Sequence, residues 1–427
     1  MRADTLDILR CPYCGGRLEL VESLFHRRTA THIEDGILGC HCCIFPVVDG
    51  IPVLHLQPDA TEARDHVQAG RPERARRRMF GLERDEEAAA FDAVAASPTA
   101  TYRETVEALG PNFEGGYFLY RFSDPTFIVA DAVVRAVAGT VLAKGGRAID
   151  ICGGSGHLTR ALQAVSQPPP VLADLYFAKV WLARRFTAPG CEPVCCDGNA
   201  PFPFARGAFG FAMCTDAFMY IWTKRQFVGE MTRLVRGVGA PGGSADTAGA
   251  VLIGHTHNEC TWSPSHGQPL SPEGYADLFE SISPRIFAEG HLFEDVVAGG
   301  PLDLSRRDDK ATLDAAPALT LIASHDAGVF TRHALPPRPL SGELRINPLY
   351  AVETDGDRVR LRLRFPSDDY EDEYGACRRY LPDEAAIDRA TLDRLQQSPP
   401  SSADALPLPV ADLVRRRVLL DLPRRYY

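Results

Sequence analysis

The chain has 427 residues, 45% of them hydrophobic and 24% charged, which is enough for two or three domains with cores of their own. A formal net charge of −10 gives no global attraction to polyphosphate, so nucleic acid is not a favoured partner. No run approaches the roughly 18 uninterrupted apolar residues of a membrane span, and Met1–Arg10 lacks the apolar stretch of a secretory leader, so the expected location is the cytoplasm, without a membrane partner.

Twelve cysteines in such a chain read as metal ligands and reduced thiols rather than a disulfide framework. The first cluster, DILRCPYCGGRLEL, places Cys11 and Cys14 in a C-x-x-C-G-G knuckle; GILGCHCCIFPVVDGIPVL then places Cys40 and Cys43 in a second. Four thiolates on two turns suit tetrahedral zinc, and a segment this short has little apolar core, so metal would supply folding energy. The second knuckle is crowded, and Cys42 or His41 could replace Cys43. Residues 1–57 resemble the Trm112-like zinc-ribbon modules, most closely over Phe45 to Leu54, FPVVDGIPVL. In that family such modules stabilise or dock onto methyltransferases.

Residues 58–113 change character. RDHVQAGRPERARRRMFGLERDEEAAAFDAV runs from basic to acidic with few apolar positions before Phe80 and Phe91, and is expected to form a solvated, partly helical linker laced by Arg and Glu.

A third domain, 114–332, is expected to be α/β. EGGYFLYRFSDPTFIVADAVV opens with aromatic residues and leads into a helix near Asp124-Pro125. AIDI, Ala148–Ile151, then reads as a buried parallel strand followed by a glycine-rich turn and a helix with apolar spacing at Leu158, Leu162 and Val165. VLAD ends a second strand in Asp174, PVCC a third before Asp197, FGFAMCT a fourth before Asp216, and AVLIGHTHN a fifth near His255. Strand tips bearing polar residues, separated by helical stretches, describe a doubly wound, mostly parallel Rossmann-like sheet with its ligand at the carboxyl edge. No Lys-Ser/Thr follows the glycines, so the turn is not a triphosphate loop.

DICGGSG, VLADLYFAKVWLAR and CCDGNAPFPFARGAFGFAMCTDAFMYI resemble, in order and spacing, the class I S-adenosylmethionine-dependent methyltransferases. The resemblance implies S-adenosylmethionine as cofactor. Asp150, Gly154 and Gly156 match the glycine motif, while Cys152 stands where a glycine is usual and is tolerable there at negative φ. Asp174 would bind the ribose, with Leu175 bordering the adenine. Asp197 would accept from the adenine amino group beside Gly198 and Asn199, and Cys214 and Thr215 would line the floor under the methionine portion. Tyr117, Tyr120 and Arg121 are candidates for a segment folded over the sulfonium, Arg121 pairing with the methionine carboxylate; the same residues also suit core packing. Phe209-Gly210 departs from the usual Phe-Asp before the fourth strand.

Methyl transfer is an in-line displacement, so positioning dominates and a base is needed only if the acceptor must lose a proton. His257 is the first candidate; His255, Asp216 and Tyr220 are others on the same edge. The expected reaction is methylation of an O or N acceptor, a small metabolite or a protein side chain. The alternatives are RNA methylation and a catalytically silent binding protein on the same fold.

Residues 333–427 are expected to form an α+β extension after a linker, HALPPRPLSG. PLYAVE, a TDGD turn and RVRLRLRF signal a hairpin with one apolar and one cationic face, the latter neutralised by the acidic run DDYEDEYG that follows. The extension would supply an acceptor lid, a homodimer contact, or both.

Overall fold

The computed structural model describes residues 1–82, 84–110, 117–238, 248–263, 267–335, 340–397 and 406–427. The expected domain start at 114 and the residues 336–339 of the expected linker lie outside these.

The N-terminal module is a small antiparallel sheet of β1 (Glu19–Leu20), β2 (Arg27–Arg28), β3 (Ile33–Gly39), β4 (Ile44–Val48) and β5 (Ile51–Pro52), in the order β1-β3-β4-β5 with β2 on β3. Asp49 and Gly50 join β4 to β5 with φ of 46° and 68°, the left-handed pair that a two-residue hairpin needs. Trp181 Nε1 donates to the Asp49 carboxylate at 2.6 Å, fixing this turn to the rest of the chain.

Helices α1 (Pro58–Gln68), α2 (Pro72–Met79), α3 (Asp85–Ala96) and α4 (Tyr102–Ala108) follow. The helical expectation agrees with this; the solvated one does not. Ala60, Ala63, Val67, Ala75, Phe91 and Tyr102 are buried in the main core, and Phe80 sits edge-on to Phe177 and Trp181 at 5.4 and 5.2 Å. Small residues carry most of this face, so its apolar content is low although its burial is complete. The arginines are ion-paired as expected, Arg76 and Arg77 with Asp92 and Arg78 with Glu62.

The central region contains α5 (Pro125–Val141), β6 (Ala148–Ile151), α6 (Thr159–Leu162), β7 (Val171–Asp174), α7 (Phe177–Leu182), β8 (Glu192–Cys195), β9 (Phe211–Thr215), α8 (Lys224–Leu234), β10 (Ala250–His257), α9 (Pro272–Ala276), β11 (Arg285–Ala288), α10 (Glu289–Val297), β12 (Leu302–Asp303), α11 (Lys310–Ala315), β13 (Ala318–Ser324) and β14 (Arg332–His333). Seven strands form one sheet in the order β11-β13-β10-β9-β6-β7-β8, parallel except that β13 runs against β10 and β11. Alternate residues feed opposite cores: Phe211, Met213, Ala250 and Leu252 enter one, Ala212, Cys214, Val251 and Ile253 the other. The chain runs outward from β6 through β7 and β8 on one side and through β9 and β10 on the other. The carboxyl edge between β6 and β9 is therefore the topological switch point, where open α/β sheets bind ligands.

The N-terminal module prolongs this sheet. Val53 pairs in parallel with Cys195, and Leu54 N–H donates to the Cys195 carbonyl at 2.7 Å, so the exposed edge of β8 is covered.

The C-terminal region comprises β15 (Glu343–Ile346), β16 (Tyr350–Asp355), β17 (Arg358–Leu363), α12 (Asp368–Tyr374), β18 (Glu384–Asp388), α13 (Arg389–Gln397), α14 (Leu408–Arg415) and β19 (Leu419–Leu422), with its own apolar cluster. β16 and β17 form the expected hairpin, and Val359 and Leu361 face inward between exposed arginines. The partners of that cationic face differ from the expectation. Arg360 pairs with Asp355 and Arg362 with Glu384, across neighbouring strands, whereas the acidic run folds into α12 and its Glu371 pairs with Arg378.

Among the described residues no helix is long and apolar enough to cross a membrane.

Candidate active site

The turn after β6 is tightly constrained. Cys152 has φ of 57°, Gly154 of 55° and Gly156 of 75°. The expectation that Cys152 would sit at negative φ is therefore corrected: a side-chain-bearing residue occupies the left-handed region, at a cost of about 1–2 kcal/mol. Gly153, which sequence reasoning passed over, has no room for a side chain, since a Cβ there would strike Leu172 and the Asp150 carboxylate, and a Cβ on Gly156 would strike Ala183. Asp150 is buried and accepts from Thr159 Oγ1 at 2.6 Å, so it anchors the loop to the following helix; burial pushes its carboxyl up to about 7.

At the tip of β7, Asp174 Oδ2 accepts from Gly154 N–H at 2.9 Å and Oδ1 from Tyr176 N–H at 3.0 Å. Burial raises its pKa. The carboxylate thus bridges the glycine turn and the second strand at the switch point. Leu175 lies next to it, its carbonyl accepting from the Cys195 thiol at 3.0 Å.

Beyond β8, Asp197 Oδ1 accepts from Asn199 N–H at 2.8 Å, and Asn199 Oδ1 accepts from Trp222 N–H at 2.8 Å, so this turn is tied to the loop after β9. Gly198 faces the Cys152 sulfur at a distance that leaves a Cβ only 3.2 Å of room. Cys214 lies beneath, where a hydrogen bond with Cys152 and burial hold its thiol well above the usual range. Thr215 Oγ1 is buried without a hydrogen-bond partner among the described residues, an orphan that a bound ligand would satisfy.

A 3-10 turn, Tyr117–Ser123, lies against the glycine loop. The Phe118 ring packs on Gly154 and stacks on His157 at 5.6 Å. Tyr117 is on the surface beside Phe118, and Tyr120 turns away from the loop to meet Tyr370 at 5.5 Å. Arg121 is buried, 2.9 Å from Asp216 and 3.5 Å from Asp124, and donates to Thr126 Oγ1 at 2.8 Å. Its charge is therefore shared by two carboxylates, one on each side.

The ends of β9 and β10 carry the remaining polar groups. Asp216 and His255 have φ of 58° and 46°, and the register of β10 against β13 shifts between Ile253 and Thr256. That bulge sets His255 Nδ1 2.8 Å from Glu289 Oε1 and Nε2 3.9 Å from Asp216 Oδ1. Burial opposes its charge, yet Glu289 and then Asp216 outweigh burial and lift its pKa to about 9. His257 shifts the other way: burial and the His255 cation both lower it. His257 Nδ1 lies 3.0 Å from Ser263 Oγ, and Tyr275 donates to the His257 carbonyl at 2.8 Å. Tyr220 is largely exposed. Glu289 was invisible in the sequence because it opens a helix after β11 with no motif around it; only the topology brings it to His255.

Among the described residues one group of four thiols lies close enough to share a metal ion, and it contains Cys42, one of the alternatives to Cys43 at the second knuckle. Cys11, Cys14, Cys40 and Cys42 bring their sulfurs within 4.8 Å of one another, with Cys11–Cys42, Cys14–Cys40 and Cys40–Cys42 at 3.6, 3.7 and 3.6 Å. Zinc bound tetrahedrally at about 2.3 Å requires sulfur–sulfur separations of about 3.8 Å, so the set fits this ion. Cys43 instead contributes backbone: Cys40 N–H donates to its carbonyl at 3.0 Å and its own N–H approaches Cys40 Sγ at 3.4 Å. The Cys43 sulfur lies 3.4 Å from Cys42 Sγ, outside the group of four but beside it.

No family model and no curated protein matches the sequence. Several solved structures are similar to part of it. One, a complex containing the Trm112 methyltransferase activator of Haloferax volcanii, matches at 14% identity over 45% of this chain and 90% of that chain, with a TM-score of 0.32. Geranyl diphosphate C-methyltransferase from Streptomyces coelicolor, solved with S-adenosyl-L-homocysteine, matches at 14% identity over 44% of this chain and 74% of that chain, with a TM-score of 0.31. Phosphoethanolamine N-methyltransferase 2 of Haemonchus contortus, in complex with S-adenosyl-L-methionine, matches at 14% identity over 47% of this chain and 57% of that chain, with a TM-score of 0.32.

Proposed function

We propose that the protein is an S-adenosylmethionine-dependent methyltransferase acting on an O or N acceptor, with a Trm112-like zinc module built into the same chain. The observation that carries the reading is the contact of Gly154 N–H with the Asp174 carboxylate at the switch point of the sheet. There the residues of the glycine motif, the acid of the second strand and the orphaned Thr215 hydroxyl converge on one edge. Bound S-adenosylmethionine supplies an electrophilic methyl group on a sulfonium; the chain's own residues hold and orient the reactants.

In this reading Asp174 binds the ribose, Leu175, Asp197, Gly198 and Asn199 enclose the adenine, and Cys152, Gly156, Cys214 and Thr215 form the floor. Arg121 is the guanidinium for the methionine carboxylate, and pairing there would release Asp216 toward the acceptor. His257 is the acceptor-side base. Its pKa is depressed partly by its cationic neighbour His255, so at neutral pH it holds a free lone pair; when Nδ1–H is donated to Ser263, that lone pair is on Nε2. Two histidines pushed apart in pKa thus take separate roles, one a fixed cation and one a proton acceptor. Transfer of labelled methyl from S-adenosylmethionine into pools of metabolites, peptides and RNA tests the reading. Label in a metabolite or peptide supports it, label in RNA alone corrects the acceptor class, and no transfer to any pool contradicts it.

A further inference from the structure

The segment proposed to cover the cofactor, Tyr117–Asp124, takes a series of hydrogen bonds from the C-terminal region. Tyr426 is buried, and its hydroxyl donates to the Phe118 carbonyl at 2.6 Å while accepting from His157 Nε2 at 2.7 Å. That tyrosine oxygen therefore joins the covering segment to the end of the glycine loop, just before α6. Tyr427 donates to the Leu119 carbonyl and Arg417 to the Phe122 carbonyl. Tyr380 donates to the Ser123 carbonyl at 2.6 Å, and Tyr370 to Asp124 Oδ1 at 2.5 Å.

Two features make this more than packing. His157 is buried and its pKa is depressed to about 3, so the ring is neutral and can donate from Nε2 to the tyrosine oxygen across the whole physiological range. Tyr426 is also clamped from behind: its ring stacks on Tyr102 at 4.7 Å, Tyr102 N–H donates to the Arg425 carbonyl at 2.8 Å, and Arg103 N–H to the Tyr426 carbonyl at 3.2 Å. Carbonyls of a turn that contributes Arg121 to the site thus accept from donors more than 250 residues away in the chain, in addition to the bonds within the turn.

We infer that Tyr426 and Tyr380 are positioning residues of the cofactor site: they fix the covering segment, and with it Arg121, over the glycine loop. The inference rests on the methyltransferase reading for what the segment covers, but not for the coupling itself.

Two measurements on the full-length chain separate the two. In hydrogen exchange without ligand, Tyr426→Phe and Tyr380→Phe are each expected to speed exchange of the amides of 117–124 while those of β6, β9 and β10 keep their wild-type rates. In calorimetric titration with S-adenosylhomocysteine, each variant is expected to bind about tenfold more weakly than wild type. Unchanged exchange in 117–124 for both variants overturns the inference, as does faster exchange spread equally over the central strands, which marks a merely structural role. If wild type binds no S-adenosylhomocysteine, the methyltransferase reading falls and exchange alone decides the coupling. Tyr380 is only partly buried, so its variant remains informative if Tyr426→Phe fails to fold.

Discussion

His255 Nδ1 lies 2.8 Å from Glu289 Oε1, joining the end of the fifth strand to the first residue of a helix 34 positions further on. Against burial and the Arg121 cation, both of which lower it, Glu289 and Asp216 raise the folded-state pKa of His255 to about 9, above the roughly 6.5 of an unfolded chain. The stability it contributes is therefore full below about pH 6.5 and is lost as pH rises through about 9. Urea unfolding across that window is expected to show a decline in wild type that is absent in Glu289→Gln, whose His255 should titrate nearer its ordinary value in an NMR experiment. Parallel pH profiles for the two proteins would remove the pair's electrostatic role.

Asp174 holds the glycine loop through Gly154 and is proposed to hold the ribose as well. Asp174→Ala is expected to weaken S-adenosylhomocysteine binding by about 2–3 kcal/mol, since charge-assisted hydrogen bonds are lost and a loop amide is orphaned. Asp174→Asn keeps an acceptor for Gly154 and should lose only part of that. Calorimetry on both variants, with circular dichroism to check the fold, decides it; equal affinity in all three proteins would dismiss the assignment.

The strands and their polar tips were readable from sequence because each is a short apolar run ending in a distinctive residue: Asp150, Asp174, Asp197 and Asp216 all lie where the runs place them. What escaped was whatever depended on contacts between distant segments. Nothing near Glu289 or Tyr426 signals a site, and both become meaningful only when the sheet order and the C-terminal strands bring them to His255 and Phe118. The helices of 58–113 do not read as buried because alanines such as Ala60, Ala63, Ala75 and Ala95 make up much of their buried face and add little hydrophobicity to the sequence. At Cys152 the failure was one of backbone: composition does not show that the turn needs a left-handed residue there. Likewise, spacing alone does not say whether Cys42 or Cys43 joins the close group of sulfurs, because that depends on how the second knuckle turns.

The metal site gives a clean pair of variants. Purified protein is expected to contain one equivalent of zinc by elemental analysis; Cys42→Ser should lose it and Cys43→Ser retain it, because only the former sulfur joins the four-sulfur cluster. Cys40 has a thiol pKa lowered to about 7, through backbone amides of Cys42 and Cys43 that outweigh its burial. Zinc retained by Cys42→Ser and lost from Cys43→Ser would reverse the ligand set.

His257→Ala is expected to lower turnover by on the order of 10²-fold with cofactor affinity unchanged, as proton transfer contributes only in the transition state. His257→Asn keeps one hydrogen bond without accepting a proton and should be equally slow. Steady-state kinetics with the acceptor identified by label transfer are the check, and wild-type turnover in both variants would leave catalysis to positioning alone.

Isothermal titration of the wild-type chain with S-adenosylhomocysteine tests the methyltransferase reading most directly, because every proposed role on the carboxyl edge depends on that ligand binding there. Saturable binding with one site per chain, weakened in Asp174→Ala, is the expected result. No measurable binding by folded, zinc-loaded protein, or binding indifferent to Asp174, would contradict it.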